Sequence, residues 1–240
     1  MVSDPLKAYG KRLSAQKGES AELVPAATVV LLRNTDDGIE TLMLRKNSKI
    51  AFAGMWVFPG GKIDPEDGSP EDDWTERARV AAVREAMEEV QVELQQEALH
   101  WFSHWTPPAM GNRRFATWFF IAETPHDEHT IDEGEITESR WMSPQQVLEA
   151  QASAEIELAP PTYVTIHYLN QYSDVAAAIA GMSAGEPRHY ATHIAVSDDD
   201  LVALWEGDAG YDATDASIEG PRHRLQMRAD GFVFDDSGIA

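Results

Sequence analysis

The sequence contains no cysteine, few basic residues and no long apolar run, and each absence excludes a class of protein. Without cysteine there is no disulfide, thiolate nucleophile or cysteine-bound metal cluster, and a cytoplasmic location is expected. Only 19 basic residues accompany 41 acidic ones, so the net charge of −22 disfavours nucleic acid or an anionic membrane as a partner. No apolar run could span a bilayer, and the N-terminal segment lacks the apolar stretch of a secretory signal.

The composition is that of a globular protein. Its 240 residues are 43% hydrophobic, which fits one enlarged domain or a domain with an extension. Short β-prone runs precede and follow one strong helical pattern at 74–90, so the sequence predicts an α+β protein or a layered α/β/α sandwich. Ser143, Pro144 and Gln146 form a capping-box pattern that predicts the start of another helix. We expect an N-terminal arm (1–21), a main domain (22–155) and a C-terminal extension packed on the core (156–240).

Three glutamates lie close together on the predicted 74–90 helix, directly after a glycine turn. At helical spacing, an apolar stripe is predicted on one side, and three carboxylates share the other. The stripe is Val80, Val83, Met87 and Val90, and the carboxylates are Glu85, Glu88 and Glu89. Like charges at this spacing repel each other, so a solvated acidic face is one interpretation. Carboxylates beside the carbonyl groups of the turn Phe58–Gly61 also suit Mg²⁺ or Mn²⁺, and a metal site is the other.

The turn and the helix together resemble the signature of the Nudix hydrolase family, G-x5-E-x7-R-E-U-x-E-E-x-G-U, where U is a bulky apolar residue. The matching positions are Gly61, Glu76, Arg84, Glu85, Glu88, Glu89 and Val92. The resemblance covers about residues 22–165. It implies an α/β/α sandwich around a mixed sheet, here with a C-terminal α/β extension. It also implies a divalent-metal-dependent hydrolase that cleaves a diphosphate linked to another group.

The chain departs from the signature in three places. Fourteen residues separate Gly61 from Glu76 where the signature has five, so nine residues are inserted. Ala86 is smaller than the bulky residue of the pattern. Gln91 replaces the closing glycine, and a non-glycine residue in the left-handed conformation of a helix cap costs roughly 1 kcal/mol. None of these departures removes a carboxylate.

The interrupted signature resembles the Nudix branch of the peroxisomal coenzyme A diphosphatases and their bacterial relatives. Arg45, Gly54 and Phe58–Gly61 match part of the upstream motif of these enzymes, whereas Ile50 stands where the motif has a second arginine. Coenzyme A or an acyl derivative is therefore the first substrate expected from the resemblance. A nucleoside diphosphate sugar or a dinucleotide is the next alternative, and a non-catalytic Nudix-fold module that senses a nucleotide is the third.

The resemblance also assigns roles to residues of the motif. It implies Mg²⁺ or Mn²⁺ bound by Glu85, Glu88 and Glu89, with the carbonyl of Gly60 as a further ligand. It implies that Arg84 orients these glutamates. The alternative is that Arg84 only forms an ordinary salt bridge on the helix. One of the metal-binding glutamates, or a glutamate from a loop, would serve as the base.

A fourth carboxylate is expected from a distant loop. Glu135 stands six residues before Trp141, which resembles the spacing of the family's loop glutamate. Glu133 and Glu138 compete for this role, and an acidic surface loop is the alternative to any functional interpretation.

Cationic side chains are notable in so acidic a chain. Arg113 and Arg114 are adjacent, and guanidinium groups suit phosphate oxygens, although a surface pair that balances nearby acids is as good an interpretation. Arg45 and Lys62, which flank the glycine turn, are similar candidates for contacts to the substrate. The expected partner is thus a small diphosphate-containing molecule. The sequence leaves the oligomeric state open, with a homodimer as one alternative.

Overall fold

The structure is a computed structural model that describes residues 22–47, 54–109, 114–124, 129–197, 200–228 and 230–239. The N-terminal arm (1–21), Ile50 and Arg113 lie outside these ranges, and what was expected of them stays a prediction.

Two sheets contain the strands of the described residues. The strands are β1 (Leu23–Thr35), β2 (Gly38–Lys46), β3 (Trp56–Val57), β4 (Gly60–Lys62), β5 (His100–Thr106), β6 (Arg114–Glu123), β7 (Ile136–Met142), β8 (Arg188–Ala191), β9 (His193–Ser197), β10 (Asp200–Leu204), β11 (Arg224–Arg228) and β12 (Gly231–Asp235). The larger sheet has the order β3-β2-β1-β6-β5-β8, with β4 also paired to β1 and β7 to β2. It is mixed, because β1 runs parallel to β6 and β5 parallel to β8, whereas its other pairs are antiparallel. The smaller sheet, β12-β11-β10-β9, is antiparallel.

The helices are α1 (Trp74–Val90), α2 (Pro144–Ala152), α3 (Pro160–Leu169) and α4 (Val175–Met182), with a 3-10 turn at Gln96–Ala98. Asp73 caps α1 by accepting hydrogen bonds from the amides of Thr75 and Glu76. The predicted capping box of α2 is confirmed, because Ser143 and Gln146 bond reciprocally. Among the described residues, no helix combines the length and the apolar character that crossing a membrane requires.

The larger sheet is the middle layer of a sandwich, because alternate side chains of its central strands point to opposite faces. Toward α1 point Val29, Leu31, Phe120 and Ala122. Toward the side that contains α2, α3 and α4 point Val30, Leu32, Phe119 and Ile121. The α/β/α sandwich around a mixed sheet is therefore the observed architecture, and of the α-helices in the described ranges α1 covers one face and α2, α3 and α4 the other.

The smaller sheet shares a core with the larger one. Trp205, which is fully buried, lies in the same apolar cluster as Trp105 and Tyr190, whose rings stack 3.8 Å apart. A buried ion pair stabilises the turns between β10 and β11, where Arg224 Nη2 donates to Asp208 Oδ1 at 2.6 Å. The C-terminal strands consequently pack on the core of the larger sheet, on the face opposite α1.

The buried face of α1 differs from the predicted stripe. Its buried residues are Ala78, Ala81, Ala82, Ala86, Glu89 and Val90. Met87, which was expected inside, is 41% exposed. The reason is that alanine allows the closest approach of a helix to a sheet, whereas the apolar pattern gives more weight to larger side chains. A solvated acidic face, one of the two interpretations of the three glutamates, does not hold for Glu89, which is buried, or for Glu85, whose side chain is 13% exposed.

The end of α1 has the strained conformation that the sequence suggested. Gln91 has φ 56° and ψ 33°, in the left-handed region, and its amide donates to the carbonyl of Met87. Replacing Gln91 with glycine should therefore raise the free energy of unfolding by up to about 1 kcal/mol in urea denaturation. Gln95→Gly is the matched control, because Gln95 has extended backbone at φ −90° and glycine there should destabilise the protein by about 0.4–1 kcal/mol. Changes of the same sign in both variants would contradict this interpretation.

Candidate active site

The site forms where α1 crosses the glycine turn of β4. Gly60 lies so close to β1 that a Cβ atom at this position would overlap the backbone of Ala27 and Thr28. Gly61 lies under the carboxylate of Glu85, and a Cβ atom there would overlap that carboxylate. The two glycines thus allow β4 to contact a strand on one side and a glutamate on the other. This close approach explains why a glycine turn and a glutamate helix occur together in the sequence.

Glu89 is a buried carboxylate with two nitrogen donors. Its Oε2 accepts the amide N–H of Gly60 at 2.9 Å, and its Oε1 accepts a bond from the ammonium group of Lys46 at the end of β2. Burial raises the pKa of Glu89, while Lys46 and the Gly60 amide oppose that rise. Gly60 therefore contacts the carboxylates through its N–H group. The role of its carbonyl as a metal ligand stays a proposal.

Glu85 and Glu88 share the guanidinium group of Arg84. Arg84 Nη1 lies 2.9 Å from Glu85 Oε1 and 2.9 Å from Glu88 Oε2. Glu85 is largely shielded from solvent, and burial raises its pKa to about 7 although Arg84 opposes the shift. Glu88 is 59% exposed. The repulsion expected among three glutamates is therefore offset by Arg84 and Lys46.

Arg84 is held in place by a residue of the loop between β4 and α1. Asp67 is 2% exposed, and its two oxygens accept bonds from Arg84 Nε at 2.9 Å and Nη2 at 2.8 Å. Nη2 also donates to the carbonyl of Lys62 at 3.0 Å. Burial alone would raise the pKa of Asp67, but the bonds from Arg84 and from the amide of Asp64 keep it below its usual value. Arg84 thus connects the loop, β4 and two glutamates.

A residue of the loop between β4 and α1 has the spacing of the signature's first glutamate. Asp67 stands five intervening residues after Gly61, which is the spacing that the signature gives to its first glutamate. Glu76, which matches that glutamate when counted back from Arg84, is 55% exposed and lies 3.8 Å from Arg79 instead. With Asp67 at the position of the signature's first glutamate, sixteen residues separate it from Arg84 where the signature has seven, so the nine inserted residues lie between Asp67 and Arg84. Arg77, on α1, holds the start of this loop by donating to the carbonyl groups of Asp64 and Asp67.

The predicted loop glutamate lies beside Glu89. Glu135 Oε2 is 3.9 Å from the ammonium group of Lys46, and the backbone amide of Asn47 donates to the Glu135 carbonyl at 2.8 Å. Glu138, one of its competitors, instead accepts a bond from Arg140 at 2.7 Å. Glu135 therefore shares a partner, Lys46, with Glu89 of α1.

The candidate phosphate-binding cations lie in different environments. Lys62 is exposed two residues after Gly60, and Arg45 is half-exposed, 3.7 Å from Glu138. Arg114 donates to the carbonyl groups of Pro107 and Pro108 in the loop after β5. Contacts of any of them with a substrate stay predictions.

The carboxylate oxygens of the site suit a hard divalent cation, but these carboxylates are paired with Arg84 and Lys46. Across the described ranges, no three acidic or histidine side chains converge closely enough to hold one ion. The reason lies in the contacts given above, since Arg84 lies between Glu85 and Glu88, and Lys46 between Glu89 and Glu135. Carboxylate oxygens are nevertheless the ligands that Mg²⁺ and Mn²⁺ prefer. The residues therefore fit such an ion in chemistry, and binding requires that the ion replaces one or more of these nitrogen donors.

In a comparison with known protein families, residues 22–161 match the family model described as NUDIX domain. The crystal structure of a NUDIX hydrolase from Alicyclobacillus acidocaldarius superimposes with a TM-score of 0.62 at 22% identity, over 69% of this chain and 99% of that one. Two other solved structures are similar at lower scores. The NUDIX domain of Shewanella oneidensis NrtR, complexed with ADP ribose, has a TM-score of 0.48 at 17% identity, over 67% of this chain and 92% of its own. A C. elegans Ap4A hydrolase in a binary complex has a TM-score of 0.42 at 22% identity, over 60% of this chain and 93% of its own. At 22% identity, the Alicyclobacillus acidocaldarius structure establishes a likeness of fold.

Proposed function

The chain belongs to the NUDIX domain family, as a hydrolase acting on phosphoric anhydrides, and from this premise we propose that it cleaves a diphosphate linkage at the α1 carboxylates with Mg²⁺ or Mn²⁺. The observation that carries the proposal is the contact between α1 and the glycine turn. Glu85 packs on Gly61, and Glu89 accepts the N–H of Gly60, so two carboxylates of α1 meet the same turn.

The side chains would divide the work as follows. Glu85, Glu88 and Glu89, with the loop residue Glu135, would hold the divalent cation, which supplies charge for the diphosphate and acidifies the attacking water when bound. Arg84 would fix the rotamers of Glu85 and Glu88, because it bonds to both. Several carboxylates at one turn also provide a base for the water, and we leave the choice among them to mutagenesis.

The substrate that we propose first is coenzyme A or an acyl derivative. Support comes from the sequence match of Arg45, Gly54 and Phe58–Gly61. Lys62 would make the first contact with the diphosphate, because it is exposed directly beside the turn. Arg45 and the pair Arg113–Arg114 are proposed for the remainder of the substrate.

A panel of diphosphate compounds tests this function. The purified protein is incubated with coenzyme A, acetyl coenzyme A, a dinucleotide, a nucleotide sugar and an oxidised nucleoside triphosphate, each with Mg²⁺ or Mn²⁺. We expect cleavage of coenzyme A into two products that each keep one phosphate of the original diphosphate. Cleavage of another member alone would reject coenzyme A but keep the reaction, and binding without cleavage of any member would contradict the proposed function.

A further inference from the structure

Lys46 is a buried cation in the middle of the predicted carboxylate site. Its ammonium group is bonded to Glu89 and lies 3.9 Å from Glu135, and the residue is only 8% exposed. The sequence pattern gave no role to Lys46. Its position nevertheless has a structural cause, because the register of β2 against β7 shifts between Arg45 and Lys46. Such an irregularity re-aims a side chain within a strand.

The ammonium group and a divalent cation would use the same oxygen atoms. Mg²⁺ binds carboxylate oxygen at about 2.1 Å, and an ion on Glu89 Oε1 would lie within contact distance of the bonded nitrogen of Lys46. Two positive charges this close in a poorly solvated site repel each other strongly. Lysine has a flexible stem of four carbons, so its charge can move while its backbone remains in the strand.

We propose that Lys46 is an internal competitor of the metal, which binds at Glu89 and Glu135 only when the ammonium group withdraws. This inference rests on the proposed function for the identity of the metal site, and it concerns how tightly that site binds. Lys46 would neutralise the buried Glu89 between metal-binding events and keep the affinity for the free divalent ion low. Lys46 is thus a positioning residue that acts through Glu89.

Manganese binding in the absence of substrate tests the competition. Free Mn²⁺ is measured by its electron paramagnetic resonance signal during titration of wild-type protein and of Lys46→Gln, whose amide can still donate to Glu89 but carries no charge. We expect Lys46→Gln to bind Mn²⁺ at least about tenfold more tightly, because a like charge has been removed from the site. Equal or weaker binding by this variant would overturn the proposal.

Two control variants test whether the Mn²⁺ affinity depends on the charge of residue 46, rather than on the shape of its side chain or on the loss of any nearby charge. Lys46→Arg keeps the charge and should bind Mn²⁺ within about threefold of wild type, whereas tight binding by this variant would also overturn the proposal. Lys62→Gln removes an exposed charge beside the same turn, and its affinity should likewise change by less than about threefold because solvent screens that lysine. An effect of Lys62→Gln as large as that of Lys46→Gln would mean that net charge, rather than competition at Glu89, sets the affinity.

If Lys46→Gln does not fold, a second comparison replaces it. Lys46→Gln/Glu89→Gln has no unpaired buried charge and is compared with Glu89→Gln, in which Lys46 still faces Glu135. The double variant should bind Mn²⁺ more tightly than the single one, and equal affinity would reject the competition. Because no substrate is involved, a chain that binds Mn²⁺ as expected but hydrolyses nothing would retain this inference while losing the proposed function.

Discussion

Glu85→Gln should lower kcat at saturating metal by at least about a hundredfold, because a charged ligand is lost while the volume of the side chain is kept. Glu85 packs on Gly61 and shares Arg84 with Glu88, so its carboxylate lies directly at the glycine turn. The fold should survive, because burial already raises the pKa of Glu85 and a neutral amide relieves the burial of charge. The measurement is steady-state turnover of the best substrate from the panel, together with the melting temperature.

Glu76→Gln is the matched control on the same helix. Glu76 is 55% exposed and lies 3.8 Å from Arg79, so its loss should change kcat by less than about twofold, as for an exposed ion pair. The comparison also tests the assignment of the inserted loop, since Glu76 is the residue that matches the signature by counting. An equal loss of activity in the two variants, or near-wild-type turnover of Glu85→Gln, would remove Glu85 from the site.

Asp67→Asn should lower the free energy of unfolding at pH 7 by about 2–3 kcal/mol, because it breaks a bidentate pair and leaves Arg84 partly unpaired. The amount is smaller than for a fully buried pair, since Arg84 is 26% exposed. Asp64→Asn is the matched control in the same loop. Asp64 is 52% exposed and 3.8 Å from Arg84, so this variant should lose less than about 1 kcal/mol. Urea denaturation measures both variants.

The difference in free energy of unfolding between wild type and Asp67→Asn should depend on pH with a definite sign. The folded pKa of Asp67 is lowered, so its carboxylate stabilises the protein fully above the unfolded pKa of about 3.9 and loses that contribution as the pH falls through the folded value. The difference in free energy of unfolding between wild type and Asp67→Asn should therefore be constant from pH 7 to about pH 5 and should become smaller toward pH 3. A gap that does not change with pH, or equal losses in the two variants, would show that Asp67 does not act through its charge.

Local signals were sufficient to predict much of the fold. The helix predicted at 74–90 is α1 with the same bounds, and the capping box starts α2 where it was expected. These features depend on side chains within a few residues of each other. The buried face of α1 was predicted only in part, since Val90 is buried and Val83 packs against the same cluster but Met87 is exposed. Most of the buried residues are alanines, and this choice is made by the sheet, which the helix pattern does not contain.

The contacts that complete the site are between distant parts of the chain, and this is why two of its residues were missed. Asp67 was hidden by the insertion, although its spacing from Gly61 fits the signature and could have revealed it. Lys46 lies 43 residues before Glu89, and only the pairing of strands brings them together. Glu135, in contrast, was found by its spacing to Trp141, and the fold places it near Lys46. Whether it binds metal stays a proposal.

The central claim is that the carboxylates of α1 hold the divalent metal, and an anomalous difference map from crystals soaked in Mn²⁺ tests it most directly. The account predicts a peak within about 2.5 Å of carboxylate oxygens from at least two of Glu85, Glu88 and Glu89, with Lys46 Nζ withdrawn from Glu89 where that residue is a ligand. A peak bound only by other residues, with Glu85, Glu88 and Glu89 still bonded to Arg84 and Lys46, would contradict it.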